Sequence, residues 1–199
     1  MKAVLLTLVL TAAAGTAAAA PVALDIESQH TYPSFEADHM GLSIWRGKFN
    51  RTTGKIVLDR TAGSGTVDVH VDATSIDFGH DKLNAEMAEP KYFDTAKFPE
   101  AVYKGKLAGF KNGAPTRVDG ELTLHGTTKP VALEIRQFKC IDKHPYYQRQ
   151  ACGADAFGTF RRDDFGIDAG KDFGLDMTVT LRISVEAVAA KTDPSQPSL

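Results

Sequence analysis

Three Asp-Phe-Gly triplets, at Asp77–Gly79, Asp164–Gly166 and Asp172–Gly174, invite comparison with the metal-holding aspartate of phosphoryl-transfer enzymes. That chemistry also needs a Gly-rich phosphate loop and an H-R-D catalytic loop. The 199-residue chain has neither, and it is too short for two kinase lobes. The triplets read instead as strand ends, where Asp favours a turn, Phe covers the core and Gly accepts positive φ. Asp164, Asp168, Asp172 and Asp176 recur every four positions, which on a helix would stack their carboxylates on one face. Gly166, Gly170 and Gly174 argue against a helix there and the EF-hand spacing is missing, so this segment reads as a solvated loop rather than a calcium site.

Histidines stand at positions 30, 39, 70, 80, 125 and 144, with neither H-E-x-x-H nor H-x-H spacing. Zinc needs about four convergent N or S ligands, so no metal site is expected. His39 differs from the others because it shares the strand phase of Phe35 and Ala37, which puts an imidazole on the inward face. It is either a core histidine satisfied by a neighbouring Asp or Ser, or a polar contact for the head of a ligand; burial favours its neutral form. No G-x-S-x-G elbow is present, and no catalytic nucleophile is evident. Asn50-Arg51-Thr52 fits the N-glycosylation pattern, but it falls on an expected turn and is discounted.

Where the chain works bears on its two cysteines. Lys2, the apolar run Ala3–Leu10 and the small residues Ala12–Ala20 are expected to form a secretory signal peptide, cut after Ala19, which predicts export of the mature protein. Cys140 and Cys152 lack redox or zinc spacing, and in an oxidising compartment they are expected to form a structural disulfide closing a polar hairpin loop. Such a bridge contributes about 3 kcal/mol through loop entropy. No cofactor is expected. A formal charge of −2, with 43% hydrophobic and 24% charged residues, describes a globular protein with no global field for nucleic acid. After signal removal no apolar run is long enough to cross a bilayer. The sequence leaves a homodimer open.

The elements that must position these residues are strands. Val67, Val69 and Val71 alternate with Asp68, His70 and Asp72. Val179, Leu181, Ile183, Val185 and Ala187 alternate with polar residues over a length that would cross a whole sheet. Phe35 to His39, Val118 to Leu124 and Val131 to Ile135 follow the same rule, and less regular strands are expected over 47–59, 101–110 and 154–161. Turns are expected at 51–54, 62–65, 111–115 and 126–128. One helix is expected over 81–89, where Leu83 and Met87 lie four apart and Pro90 ends the run. Short turns are expected around 92–97. The domain is predicted over 20–190, with a disordered tail over 191–199. About eight antiparallel strands and few helices leave a closed barrel or a two-sheet sandwich.

Read in order, a series of motifs resembles the YceI-like family of exported, lipocalin-like, polyisoprenoid-binding proteins. They are Asp25 to His30, Phe35 to Gly41, Gly47-Lys48-Phe49, Gly54, Ala73 to Asp77, Lys82-Leu83 to Phe93-Asp94 and Lys97-Phe98-Pro99. The most specific are Val118 to Val131 and Arg162-Asp163-Asp164-Phe165-Gly166-Ile167. Tyr92-Phe93 replaces a frequent Phe-Phe pair, and the Cys140–Cys152 segment matches no general family pattern.

The resemblance implies an all-β, eight-stranded antiparallel barrel with a short helix, enclosing a channel for an isoprenoid lipid of quinone or polyprenyl type. The protein would be a periplasmic carrier or sequestering protein rather than an enzyme. The expected lining is Phe35, His39, Trp45, Phe49, Leu83, Met87, Phe93, Phe98, Leu122, Leu124, Leu133, Phe160, Leu181 and Ile183, with Arg162 organising the loop beside Phe165. Two alternatives remain: an enzyme acting on a quinone or small apolar molecule with His39 as acid or base, and an envelope stress protein whose filled barrel has no natural ligand.

Overall fold

The structure, a computed structural model, describes residues 20–191. The predicted signal peptide, and all of the predicted tail except Lys191, lie outside the described residues. The strands are β1 (Val22–Ile26), β2 (Tyr32–His39), β3 (Ser43–Phe49), β4 (Thr52–Asp59), β5 (Ser64–Asp72), β6 (Ile76–Asp77), β7 (Glu100–Ala108), β8 (Arg117–Leu124), β9 (Thr127–Pro130), β10 (Leu133–Ile141), β11 (Ala151–Arg161) and β12 (Thr178–Ala189). Helix α1 spans Asp81–Met87, ending just short of the expected boundary. No described helix is long and apolar enough to cross a membrane.

The pairing closes the sheet. β12 meets β2 along Val179–Ser184 and β1 along Ala187–Ala189, so β1 and β2 are two lengths of one stave. β3 and β4 form the next, since β2 pairs with β3 and β1 with β4, and β6 and β5 flank them in the same way. β7, β8, β10 and β11 complete an eight-stave antiparallel barrel, with β9 against β8. Closure leaves no long free edge, which settles the choice against the sandwich.

Two buried hydroxyls hold the broken staves together. Thr31 Oγ1 donates to the Glu186 carbonyl and accepts from its N–H, both at 3.1 Å, which ties the β1–β2 break to β12. Ser75 Oγ accepts from the N–H groups of Asn50 and Arg51 and donates to the Asp72 carbonyl, which ties the β3–β4 break to the β5–β6 break.

This moves an expected turn. The chain bends at Asn50-Arg51, and Thr52 to Gly54, read above as turn residues, begin β4. Gly54 (φ +143°) is there because a Cβ would collide with the Asp68 carbonyl of β5, not because the chain reverses. The span 47–59 is therefore two strands. The last expected strand of the middle region also starts later, at Leu133, with Val131 N–H donating to the Gly120 carbonyl. A bulge between Ile135 and Gln137 then changes which parity faces inward, so Phe138 and Cys140 succeed Leu133 and Ile135 on the inner face.

The two ends of the barrel differ. One carries the β4–β5, β7–β8 and β10–β11 connections; Cys140 and Cys152, directly opposite each other at the base of the last hairpin, form a disulfide. Its inner side packs with buried Leu24, Leu58 and Ala187 and with Phe110 and Phe138. The other end carries the β2–β3 hairpin, α1 and the β11–β12 connection. That connection is two short 3₁₀ turns, Arg162–Phe165 and Lys171–Phe173, separated by Gly166 and Gly170 at positive φ. Each Asp-Phe-Gly triplet ends in a positive-φ glycine, as turns require. Their phenylalanines diverge: Phe165 is buried, Phe78 packs on the core, and Phe173 stands in water.

Candidate functional site: an apolar channel through the barrel

Alternation along the staves sends apolar side chains inward, but they do not fill the space. A cavity of about 360 Å³ remains, within the range of small-ligand pockets, roughly 300–1,000 Å³. Small residues on the wall explain the gap. A Cβ on Gly47 would lie 2.6 Å from the Phe35 ring and 3.0 Å from Phe78, and one on Gly120 would lie 2.5 Å from Tyr103 Oη. These glycines let rings lie back against the wall instead of crossing the lumen. Ala37, Ala154 and Ala156 contribute short inward side chains to the lining.

One wall is an aromatic ladder. His39 at the end of β2 stacks on Trp45 of β3, with centroids 4.0 Å apart and planes 14° off parallel. Trp45 meets Phe78 edge-on at 6.4 Å, Phe78 meets Phe35 at 5.6 Å, and Phe35 contacts Phe49 at 5.7 Å and Phe93 at 6.4 Å. The pairing of β2 with β3 places Ala37 opposite Trp45 and Phe35 opposite Gly47, so strand register builds the ladder. Leu181 and Ile183 of β12 flank it on the neighbouring stave, Leu181 paired directly with Phe35, while Leu122 and Leu124 of β8, Leu133 of β10 and Phe160 of β11 complete the lining and Met87 follows from α1.

Two expected lining residues lie elsewhere. Leu83, on α1, packs against the core from behind, its N–H capped by His80 Nδ1 at 3.3 Å. A seven-residue helix presents only Met87 to the channel. Phe98 is held outside by its turn: its ring lies 4.5 Å from that of His125 and covers Gly126. His39 is not satisfied by an Asp or Ser; among the described residues its ring contact is the Trp45 stack.

The polar groups in the lining are few. Tyr103 Oη donates to the Val131 carbonyl at 2.8 Å, and burial pushes the phenol well above its usual pKa, with Asp119 adding to the effect. Tyr92 Oη donates to Glu86 at 3.2 Å. Arg162, half-buried, donates to the carbonyls of Ile167 (3.0 Å) and Ala169 (2.7 Å), and so organises the loop beside Phe165 while also lining the channel. Burial lowers its pKa, opposed by Asp163, Tyr92 and Asp168. Thr52 Oγ1 is buried in the wall without a partner.

Sequence reasoning missed Phe78, Tyr103, Thr52 and Cys152 as lining residues. Phe78 was legible only as part of a turn triplet and Thr52 only as part of a supposed turn. For Cys152 a signal existed: apolar residues switch from odd positions to Phe138 and Cys140 after Ile135, which marks the bulge.

A closed antiparallel barrel with an apolar lumen, plugged at one end and rimmed by polar groups at the other, defines a lipocalin-like protein. The YceI-like domain model matches residues 24–187, and the chain belongs to that family. It is 33% identical over 180 residues to protein YceI of Escherichia coli O6:H1, covering 89% of this chain and 92% of that one. Among solved structures, the Campylobacter jejuni YceI protein superposes with a TM-score of 0.64 at 20% identity, covering 77% of this chain and 90% of that one. A polyisoprenoid-binding domain from Saccharophagus degradans implicated in plant cell wall breakdown superposes with a TM-score of 0.59 at 17% identity, covering 85% of this chain and 99% of that one.

Proposed function

We propose that this protein binds an isoprenoid lipid, of quinone or polyprenyl type, in the barrel channel, and carries or sequesters it in the periplasm. The observation that carries this reading is the continuous apolar lumen, lined from Leu24 and Cys152 at the plugged end to His39 and Trp45 at the other. Membership of the YceI-like family and the likeness to a polyisoprenoid-binding domain support it. The cross-strand disulfide fits export.

A branched hydrocarbon chain suits such a lumen energetically. An isoprene unit exposes on the order of 80 Å², and at 25 cal/mol per Å² its burial returns about 2 kcal/mol gross. A few units offset the ordering costs of binding without any hydrogen bond. The tail points toward Leu24 and the disulfide; the polar head stays near His39, Trp45 and Arg162. The role is binding rather than catalysis, and the lipid is ligand, not cofactor.

Native mass spectrometry of protein purified from its own host tests this reading. A bound species whose mass matches a prenyl lipid is expected, and the emptied barrel should take up geranylgeraniol. A folded barrel that retains no lipid and takes none up overturns it.

A further inference from the structure

Of the seven large apolar side chains that stand in water among the described residues, four lie at one end of this barrel; Ile141 and Tyr146 stand at the hairpin end and Val57 on β4. Leu42 is 81% exposed, with Met40 and Ile44 beside it on the β2–β3 hairpin, and Phe173, 80% exposed, tips the second 3₁₀ turn of the β11–β12 connection. Both loops border the same opening, since Asp38 and His39 from one and Gly170 and Leu175 from the other line the channel. Each tip is held outward by a fixed turn. Gly41 N–H donates to the Asp38 carboxylate (3.0 Å) and Leu42 N–H to the His39 carbonyl (3.1 Å), while Phe173 N–H donates to the Gly170 carbonyl (3.0 Å). Scattered apolar residues need no explanation; knobs on two separate turns around one opening do.

Charge narrows the partner. Asp38, Asp168, Asp172 and Asp176 lie in or beside these loops. The cations of the β2–β3 and β11–β12 segments are engaged, as Lys171 pairs with Asp163 at 2.9 Å and Arg46 with Glu36 at 3.0 Å; Lys82 on α1 is an exposed cation at this end without an ion-pair partner among the described residues. An anionic surface would be repelled, and the polybasic cluster that attracts acidic lipids is missing from these loops. An uncharged interface that accepts apolar side chains fits both observations, and it is also the place where a water-insoluble channel ligand resides.

We propose that the open end of the barrel docks on a zwitterionic lipid bilayer by inserting Leu42 and Phe173, with Met40 and Ile44 as flanking contacts, so that a lipid tail passes into the channel without crossing water. The docking rests on the lipid-binding reading above for its purpose, but not for its measurement. The contact is apolar, so it is insensitive to salt and weakens as anionic lipid is added.

Co-flotation of the mature protein with phosphatidylcholine vesicles tests the surface. The wild type is expected to float with the vesicles at low and high salt, and the Leu42→Asp, Phe173→Asp double variant to lose at least tenfold in partitioning. Both side chains are exposed, so circular dichroism and melting should be unchanged. Flotation that is equal in the two proteins, absent in the wild type, or strengthened by anionic lipid overturns the proposal. So does a change from dimer to monomer in the variant with flotation unaltered, which would make this face a contact between copies. Loading with geranylgeraniol from detergent micelles separates the two claims. The double variant should load from micelles as the wild type does but extract the same alcohol from vesicles at least tenfold more slowly, and failure of both proteins to load from micelles counts against the lipid reading alone.

Discussion

The two ends of the barrel are made from the same kind of strand and do opposite things. At the hairpin end, inward residues meet across the axis: Leu24 is 1% exposed, Leu58 and Ala187 pack around it, and the disulfide lies among them. At the other end Phe165, Ile167 and Met177 are buried beneath the β11–β12 connection, but the lining residues His39, Trp45 and Ala37 are only half-buried. The hairpin end is therefore packed across the axis, and the capacity to bind lies where inward side chains fall short of meeting. An inward side chain is core only when another reaches it from across the barrel.

Three predictions sharpen or break that contrast. The largest effect is expected from removing the bridge: Cys140→Ser with Cys152→Ser should lower unfolding free energy by about 3 kcal/mol, measured by denaturant titration. Ligand uptake should survive at low temperature, and loss of uptake in a still-folded variant would show that the plugged end also shapes the binding surface. Next, Leu24→Ala and Trp45→Ala should separate the two roles. Leu24→Ala should cost roughly 3 kcal/mol of stability. Trp45→Ala should cost far less but weaken geranylgeraniol binding about tenfold, a loss near 1.4 kcal/mol. If both variants behave alike in melting and titration, the division between the ends is wrong.

The smallest effect concerns the open end and acid. Hydrogen bonds from Arg161 and Lys171 hold the Asp163 carboxyl down to about 2. An unfolded aspartate titrates near 3.9, so the folded protein binds the Asp163 proton less readily and the gain is complete above about pH 4. It should fade as pH falls from about 4 toward 2. Melting temperature followed across that range should fall less steeply in Asp163→Asn; an unchanged slope would show that these ion pairs do not hold the β11–β12 connection.

Much of the barrel was legible in the sequence because period-two alternation is a local signal. β5, β8 and β12 followed it directly, and the carboxylate-rich stretch was recognisable as loop from its glycines. Stave breaks were harder. Thr52 to Gly54 has turn composition, yet it pairs with Val69 to Val71, because a glycine required by close strand approach looks identical in sequence to one required by a turn. The channel was legible in type more than in detail. The strand-borne aromatics face the lumen as alternation implies, whereas Leu83 and Phe98 do not, because helix rotation and turn direction depend on what lies beneath them.

By itself the sequence determined the fold class, the pairing of Cys140 with Cys152 as an expectation, the inward phase of Phe35, Ala37 and His39, and the absence of a recognisable catalytic motif. These follow from residue type and short-range spacing. Whether the inward half of the strands forms a solid core or a channel was decided only in three dimensions. It depends on which small residue faces which ring across paired strands, as Gly47 lies beneath Phe35 and Gly120 beneath Tyr103, and on a single bulge that turns Phe138 and Cys140 inward to plug one end. The volume left between opposite walls is set by side chains distant in sequence, and no local pattern records it.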